Sequence, residues 1–274
     1  MISDYKTAVD NIRDILKAYI SENRIKSLVV GISGGIDSAL SLALAKPVCD
    51  ELDIPLIGRS ITIETNKADE IARAKAMGEK FTSDFKEVDL TEGFITLAGL
   101  ITESGDEDTE SVAYKIRRGN IKARTRMVYL YDLAAKNKGM VLSTDNYTEL
   151  LLGFWTLHGD VGDYGMIQNL WKTEVYAMSR YLVAGLQDHD AAEALQLCID
   201  AVATDGLGIT NSDLDQIQAK SYEEVDQILL KLVYNTDDFK DFKDHPVIRR
   251  KRNSEFKRNN PYNIPRAEIT NEPL

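Results

Sequence analysis

Residues 27–38, SLVVGISGGIDS, decide the fold, because an apolar run leads directly into a loop that is rich in glycine and serine. The run at 28–32 is typical of a buried strand in a parallel sheet. Residues 38–46 are mostly strong helix formers, with no helix breaker before Pro47. The segment therefore predicts a strand, a tight loop and a helix in direct succession.

The chain on both sides of this segment alternates predicted strands and helices. Further strands are expected at 55–61, 85–90 and 139–143. A first helix is expected over the residues whose apolar face runs from Tyr5 to Tyr19, and a second from a cap at Asn66 to about Gly78. Further helices are expected to begin at Thr91, to span about 111–136, and to lie near 172–184 and 221–233. This alternation predicts the α/β class, with a doubly wound, mostly parallel sheet, flanking helices and a helical C-terminal part. The ligand site of such a sheet lies at the carboxyl ends of its strands.

Other stretches lack a clear apolar period. Residues 103–110 are acidic and residues 159–169 carry three glycines, so both are expected to be loops. The chain becomes basic near its end, and we expect an extended tail over about 245–274. The length predicts one domain over residues 1–274, with a core of about 20–260.

Composition excludes several classes of protein. The hydrophobic share of 43% and the charged share of 28% are those of an ordinary globular chain, and no apolar stretch is long enough to span a membrane. The net charge of -11 argues against a nucleic-acid binder held by phosphate contacts. Cys49 and Cys198 lack metal or disulfide spacing, and the N-terminus lacks a signal-peptide core, so we expect a cytoplasmic protein with reduced thiols.

The loop at 31–38 has the chemistry of a phosphate cradle. Glycine lets the backbone approach a ligand closely, and the helix that follows points free N–H groups into the same space. The loop contributes three glycines and two hydroxyls: Gly31, Gly34, Gly35, Ser33 and Ser38. Asp37 would be repelled by bare phosphate, so its presence indicates an intervening metal ion, most simply Mg²⁺.

Two other interpretations of this loop are weaker. The Walker A pattern GxxxxGK[ST] and the dinucleotide pattern GxGxxG are both absent. Residues 31–35 fit G-x-S-x-G by letters, but none of the three histidines has the context of a triad partner. A nucleophile elbow also gives no reason for Asp37 and Ser38.

SGGIDS resembles the signature of the N-type ATP pyrophosphatases, enzymes that cleave ATP between the α and β phosphates and adenylate a substrate. Later segments narrow the resemblance to the ammonia-dependent NAD synthetase family, whose fold is adenine nucleotide alpha hydrolase-like. They keep the family's order: GNIKARTRM at 119–127, STDNYTE at 143–149, GFWTLHGD at 153–160, KTEVY at 172–176, TDGL at 204–207 and FKR at 256–258. Taken singly, charged residues of these segments could equally be solvated surface groups.

The resemblance implies an ATP site and a metal site. The residues that would bind the ATP phosphates are Gly31, Ile32, Ser33, Gly34, Gly35, Ile36, Asp37 and Ser38. Thr144, Lys172 and Thr204 would also contact ATP. Asp37 and Glu149 would bind Mg²⁺, and together with Lys172 they are the implied catalytic residues.

The resemblance also implies contacts to the dinucleotide substrate, deamido-NAD. Arg124 would bind its pyrophosphate, and Phe256 and Lys257 would lie where the tail meets the substrate. Leu157 stands where the family often has lysine. A substrate-contacting aspartate follows; Asp163 takes that place if one residue is deleted nearby, and Tyr164 otherwise.

The activity implied is amidation of deamido-NAD through an acyl-adenylate. Too few residues remain for a glutaminase unit, so free ammonia is the expected nitrogen donor. The resemblance further implies a homodimer. Rival hypotheses are another ATP pyrophosphatase, such as a GMP-synthetase-like or tRNA-modifying enzyme, and a nucleotide-binding protein that has lost catalysis.

Overall fold

A five-stranded parallel sheet forms the centre of the computed structural model, which describes residues 1–64, 66–102, 108–202, 213–234 and 242–270. The strands are β1 Leu28–Gly31, β2 Leu56–Thr62, β3 Asp84–Asp89, β4 Met140–Ser143 and β5 Tyr164–Gly165, in the spatial order β3-β2-β1-β4-β5. Every pairing among them is parallel, and Leu28 of β1 lies between Leu56 and Met140 of the neighbouring strands. The predicted α/β fold with a parallel sheet is confirmed.

Helices cover both faces of the sheet and extend beyond its edge. Their bounds are α1 Tyr5–Asn23, α2 Ile36–Glu51, α3 Ala68–Phe81, α4 Thr91–Ile101, α5 Val112–Lys136, α6 Tyr147–Leu152, α7 Lys172–Gly185, α8 His189–Ile199, α9 Asp213–Ile217, α10 Tyr222–Val233, α11 Pro246–Asn253, α12 Glu255–Arg258 and α13 Arg266–Thr270. One buried apolar cluster joins α1, α2, α3, α7 and α8 to the sheet, and a second joins α4 and α5 to its other face. A third cluster packs α6 against α10 and α11. No helix among the described residues is both long and apolar enough to cross a membrane.

Helix α2 continues past Pro47, although the sequence suggested an end there. A proline inside a helix lacks the N–H that would bond the carbonyl four residues earlier. That carbonyl belongs to Ala43, and the guanidinium of Arg13 on α1 donates to it at 3.1 Å. Arg13 also donates to the carbonyl of Leu44 at 3.4 Å. A neighbouring helix therefore supplies the hydrogen bond that the proline cannot.

The predicted bounds of α3 were wrong at both ends. Lys67 is the N-cap, and the side-chain oxygen of Asn66 instead accepts the N–H of Ile63 at 3.1 Å. The helix also continues through Gly78 to Phe81. A Cβ at Gly78 would lie 2.1 Å from the ring of Phe85, so this glycine admits a ring of β3 against α3 and does not end the helix.

Two regions predicted to lack regular structure contain it. Tyr164 and Gly165 pair with β4 as the short strand β5, inside the expected loop at 159–169. The basic tail is helical over α11 and α12, whereas an extended tail was expected. Pro246 at the first turn of α11 is compatible with a helix start, and tail arginines are held by the backbone of α6.

Candidate active site

The glycine-rich loop between β1 and α2 is held in a conformation that requires glycine at one position. Gly34 has φ of +80°, and a Cβ there would lie 2.3 Å from the carbonyl oxygen of Glu70 on α3. Arg73 donates from Nε to the Gly34 carbonyl at 2.9 Å. The hydroxyls of Ser33 and Ser38 lie 3.1 Å apart across the loop. Helix α3 and these hydroxyls together fix the loop.

The N-terminus of α2 leaves backbone groups for a ligand. Its N-cap, Gly35, has no side chain with which to cap the helix. The first N–H groups of a helix have no partner within the helix, and they favour an anion. Asp37 lies in the first turn of the same helix, and the phosphate-binding role of the loop stays a prediction.

The three residues predicted to be catalytic meet at a buried lysine, which is one of them. Lys172 is 1% exposed, and its Nζ lies 2.5 Å from Oδ2 of Asp37 and 2.9 Å from Oε1 of Glu149. Burial alone would lower the pKa of Lys172, but the two carboxylates outweigh this and raise its pKa well above the usual value. The residues come from three elements: the first turn of α2, the first turn of α6 and the first residue of α7.

Asn146 organises this cluster and was not singled out from the sequence. Its side-chain oxygen accepts the N–H of Glu149 at 3.0 Å and thereby caps α6, while its Nδ2 donates to Oδ1 of Asp37 at 2.8 Å. It is fully buried. One side-chain amide therefore fixes the Asp37 carboxylate and the backbone of Glu149. A cap was recognisable in the order Asn, two residues, Glu, but the contact to Asp37 was not.

Two further acidic residues lie near the cluster and were also missed. Burial raises the pKa of Asp145 well above its usual value, and the charges of Asp160 and Glu149 add to the effect. Asp160 is an exposed residue, but partial desolvation of its carboxylate raises its pKa to about 6. Its Oδ1 accepts the N–H of Thr156 at 2.6 Å.

The residues predicted to bind the dinucleotide lie at separate places. Arg124 is exposed on α5, and its Nε donates to the carbonyl of Leu157 at 3.2 Å. Asp163 accepts the Tyr131 hydroxyl at 2.7 Å with one oxygen and the Val141 N–H at 2.9 Å with the other. Asp163 thus has a structural task at the edge of β4, and its substrate role stays a prediction, as does that of Tyr164.

The tail brings Lys257 against the segment that follows α6. Its Nζ donates to the carbonyl of Gly153 at 2.8 Å and also to that of Trp155. Phe256 is 63% exposed. Thr144 is half-buried directly after β4, whereas Thr204 lies outside the residues that the structure describes. The ATP and substrate roles of these residues stay predictions.

The donor set at Lys172 is compatible with Mg²⁺. Asp37 and Glu149 provide carboxylate oxygens at one point, and Mg²⁺ is commonly held by one or two carboxylates together with phosphate oxygens and water. Among the described side chains, no group of three or more His, Cys, Asp or Glu is arranged to hold a metal ion. Asp37 and Glu149 would supply part of a coordination shell, and substrate phosphates and water would supply the rest.

Known proteins resemble this chain in both sequence and fold. The family model described as NAD synthase matches residues 8–261. The chain belongs to the NAD synthase family. An NH3-dependent NAD(+) synthetase of Thermoplasma acidophilum is 32% identical over 268 residues, which make up 95% of this chain and 98% of that protein. Another, from Methanosarcina acetivorans, is 30% identical over 270 residues, 94% and 97% of the two chains.

A solved structure supports the fold of this NAD synthase family member. An NMN synthetase from Francisella tularensis superposes with a TM-score of 0.73 at 22% sequence identity, covering 94% of this chain and 97% of that one. At this identity the likeness shows the fold alone.

Proposed function

We propose that this enzyme amidates deamido-NAD to NAD with ammonia and uses ATP to activate the acceptor carboxylate. The use of ATP is supported by the ion pairs of Lys172 with Asp37 and Glu149 beside the glycine-rich loop. The acceptor and the donor follow from family membership and from relatives named NH3-dependent NAD(+) synthetase.

In the first step a carboxylate oxygen of deamido-NAD attacks the α-phosphorus of ATP. The bond from that phosphorus to the oxygen bridging to the β phosphate breaks, giving an acyl-adenylate and pyrophosphate. Amide groups at the start of α2 and the hydroxyls of Ser33 and Ser38 would bind the departing phosphates. Lys172 is protonated at neutral pH, because two carboxylates raise its pKa, and its charge would stabilise the negative charge of the leaving group.

Asp37 and Glu149 are the residues that would hold Mg²⁺. The ion would neutralise charge on the phosphates and orient them for displacement. Asn146 contributes by fixing the Asp37 carboxylate and the start of α6. Lys172 already lies between the two carboxylates, so their mutual repulsion is balanced before any ligand binds.

In the second step the nitrogen of ammonia attacks the carbonyl carbon of the adenylate. AMP leaves with its oxygen, and the nitrogen releases a proton. This step requires positioning and exclusion of water more than charge stabilisation. Arg124 would hold the dinucleotide pyrophosphate, and Lys257 would bring the tail against the segment after α6.

We also propose that the enzyme is a homodimer and lies in the cytoplasm. Helices α4 and α5 carry large exposed apolar side chains, among them Leu100 at 80% and Val128 at 71% exposure. An apolar surface of this kind is typical of a protein interface. Sedimentation equilibrium would measure the mass, and a monomer at micromolar concentration would contradict the dimer.

The two cysteines are free and buried, as expected of reduced thiols in the cytoplasm.

The test is an assay of pyrophosphate release and NAD formation with purified enzyme and Mg²⁺. We expect release with ATP, deamido-NAD and ammonium, and much slower release when nicotinic acid mononucleotide or xanthosine monophosphate replaces deamido-NAD. Glutamine in place of ammonium should give little NAD. Faster turnover with glutamine would refute the proposed donor, and no release with any acceptor would refute the enzyme activity.

A further inference from the structure

A buried carboxylate on α10 connects the helix that carries Glu149 with the helix that begins at Lys172. Asp226 is 1% exposed. Its Oδ1 accepts the hydroxyl of Thr148 at 2.5 Å, and its Oδ2 accepts the N–H and the hydroxyl of Thr173 at 2.9 and 2.8 Å. Thr148 and Thr173 are the chain neighbours of Glu149 and Lys172.

These hydrogen bonds have a fixed direction. The Oγ1 of Thr148 accepts the backbone N–H of Lys172 at 2.9 Å, and its hydroxyl proton is donated to Asp226. A chain of two bonds therefore runs from the first residue of α7, through α6, to α10. It sets the position of α6 relative to the backbone of Lys172.

Helix α10 also contacts the other end of the same lysine. The ring of Tyr222, one turn before Asp226, lies 5.5 Å from Nζ of Lys172. The carboxylate acts on the backbone of Lys172 through Thr148, and the aromatic ring lies beside its ammonium. One helix thus restrains both ends of the side chain that meets Asp37 and Glu149.

Packing alone does not require a charge at this place. Val225, Ile228 and Leu229 beside Asp226 are buried and apolar, and burial raises the pKa of Asp226 against the opposing effect of the threonine hydrogen bonds. When both partners of a buried hydrogen bond are replaced by apolar groups of the same shape, the change in stability can be small. The N–H groups of Lys172 and Thr173 lie at the start of α7 and need acceptors, which Thr148 and Asp226 provide. The hydroxyl proton of Thr148 links these two acceptors.

We propose that Asp226 is a positioning residue of the ATP and Mg²⁺ site, which acts through Thr148 to fix Lys172 and Glu149 relative to each other. The inference rests on the proposed function for the identity of the ligand. Removing a group that orients a metal-binding or catalytic side chain by a hydrogen bond typically lowers affinity or activity by about 10- to 100-fold.

Two substitutions break the chain of hydrogen bonds with little change of shape. Thr148→Val removes the hydroxyl, and Asp226→Asn leaves one acceptor oxygen where the donors of Thr148 and Thr173 use two. We expect each to weaken binding of ATP in the presence of Mg²⁺ by about tenfold, measured by isothermal titration calorimetry without deamido-NAD. Thr148→Ser keeps the hydroxyl, and its affinity should stay within about twofold of the wild type.

A matched control separates positioning from loss of stability. Ser179 is also buried on α7, and its hydroxyl donates to the Val175 carbonyl of its own helix. Ser179→Ala should leave the ATP affinity unchanged. If Asp226→Asn does not fold, the comparison of Thr148→Val with Thr148→Ser decides the matter.

Wild-type ATP affinity in Thr148→Val would overturn the inference. A loss of ATP affinity in Ser179→Ala as large as that in Thr148→Val would overturn it too. Failure of the proposed function gives a different result: the wild-type enzyme would then bind ATP without releasing pyrophosphate in the presence of deamido-NAD. The two failures are therefore distinguishable in the same set of proteins.

Discussion

The side-chain amide of Asn146 donates a hydrogen bond of 2.8 Å to Asp37, a residue 109 positions away in the chain. The same side chain caps the helix that carries Glu149. The helix cap and the orientation of a metal-binding carboxylate therefore depend on one residue. Substitutions can separate these two contributions, because a shorter side chain can still cap.

Asn146→Ser should cap α6 but fail to reach Asp37. We expect its free energy of unfolding to stay close to that of the wild type, since serine and asparagine cap about equally well, whereas Asn146→Ala should lose about 1 kcal/mol. Both variants should lose about tenfold in pyrophosphate release. Urea unfolding and the release assay measure the two quantities. Wild-type turnover in Asn146→Ser would show that the bond to Asp37 has no catalytic value.

The charges around Lys172 predict a separation of activity from stability at Asp37. Two carboxylates share one ammonium, so Asp37→Asn leaves a balanced pair of Lys172 and Glu149. The thermal midpoint should therefore fall little, while pyrophosphate release falls by at least about 100-fold because a metal-binding carboxylate is lost. Lys172→Met is the contrasting variant, since it leaves two half-buried carboxylates close together without the ammonium between them, and it should unfold at a clearly lower temperature. A cooperative, stable Asp37→Asn that retains full turnover would contradict the metal role.

Sequence patterns predicted the elements of the site better than its contacts. The strand, loop and helix at 27–38 follow from local composition, and the structure has all three. The meeting of Asp37 with Lys172 spans 135 positions, and only resemblance to a known family indicated it. Asp226 gave no signal, because one acidic residue within an amphipathic helix is ordinarily a solvated charge.

The helical structure of the basic tail was not predictable from local sequence patterns. Arg250 and Arg258 belong to a basic run without an apolar period, and an extended segment was expected there. In the structure both arginines donate to carbonyls at the end of α6, at distances between 2.7 and 3.0 Å. Cations are favoured at that end of a helix. The helical tail thus depends on tertiary contacts that no sequence window contains.

The raised pKa of Asp160 predicts a pH effect on stability of defined sign. Its pKa rises from 3.8 to about 6 in the folded chain, so the folded state binds the proton more tightly than the unfolded state. Between these two pH values the folded state gains stability as the pH falls, and above pH 6 the cost of the ionised carboxylate is fully present.

The variant Asp160→Asn isolates this effect, because it lacks the titrating group while other residues titrate in both proteins. We expect the difference in unfolding free energy, wild type minus variant, to increase when the pH is lowered from 7.5 to 5.0. Urea unfolding at the two pH values measures it. Equal differences at both would show that the carboxylate is well solvated in the folded protein.

The Arg13 contact predicts coupling between two helices of the core. Arg13 donates to the Ala43 carbonyl that Pro47 leaves without its helical partner. Arg13→Met should therefore cost about 1–3 kcal/mol, because a buried carbonyl loses its donor. In a background with Pro47→Ala the new N–H can bond Ala43 itself, and the cost of Arg13→Met should fall by about 1 kcal/mol. Urea unfolding of the four proteins of this double-mutant cycle gives the coupling energy. Strictly additive free energies would mean that Arg13 stabilises α2 through its packing and not through the carbonyl.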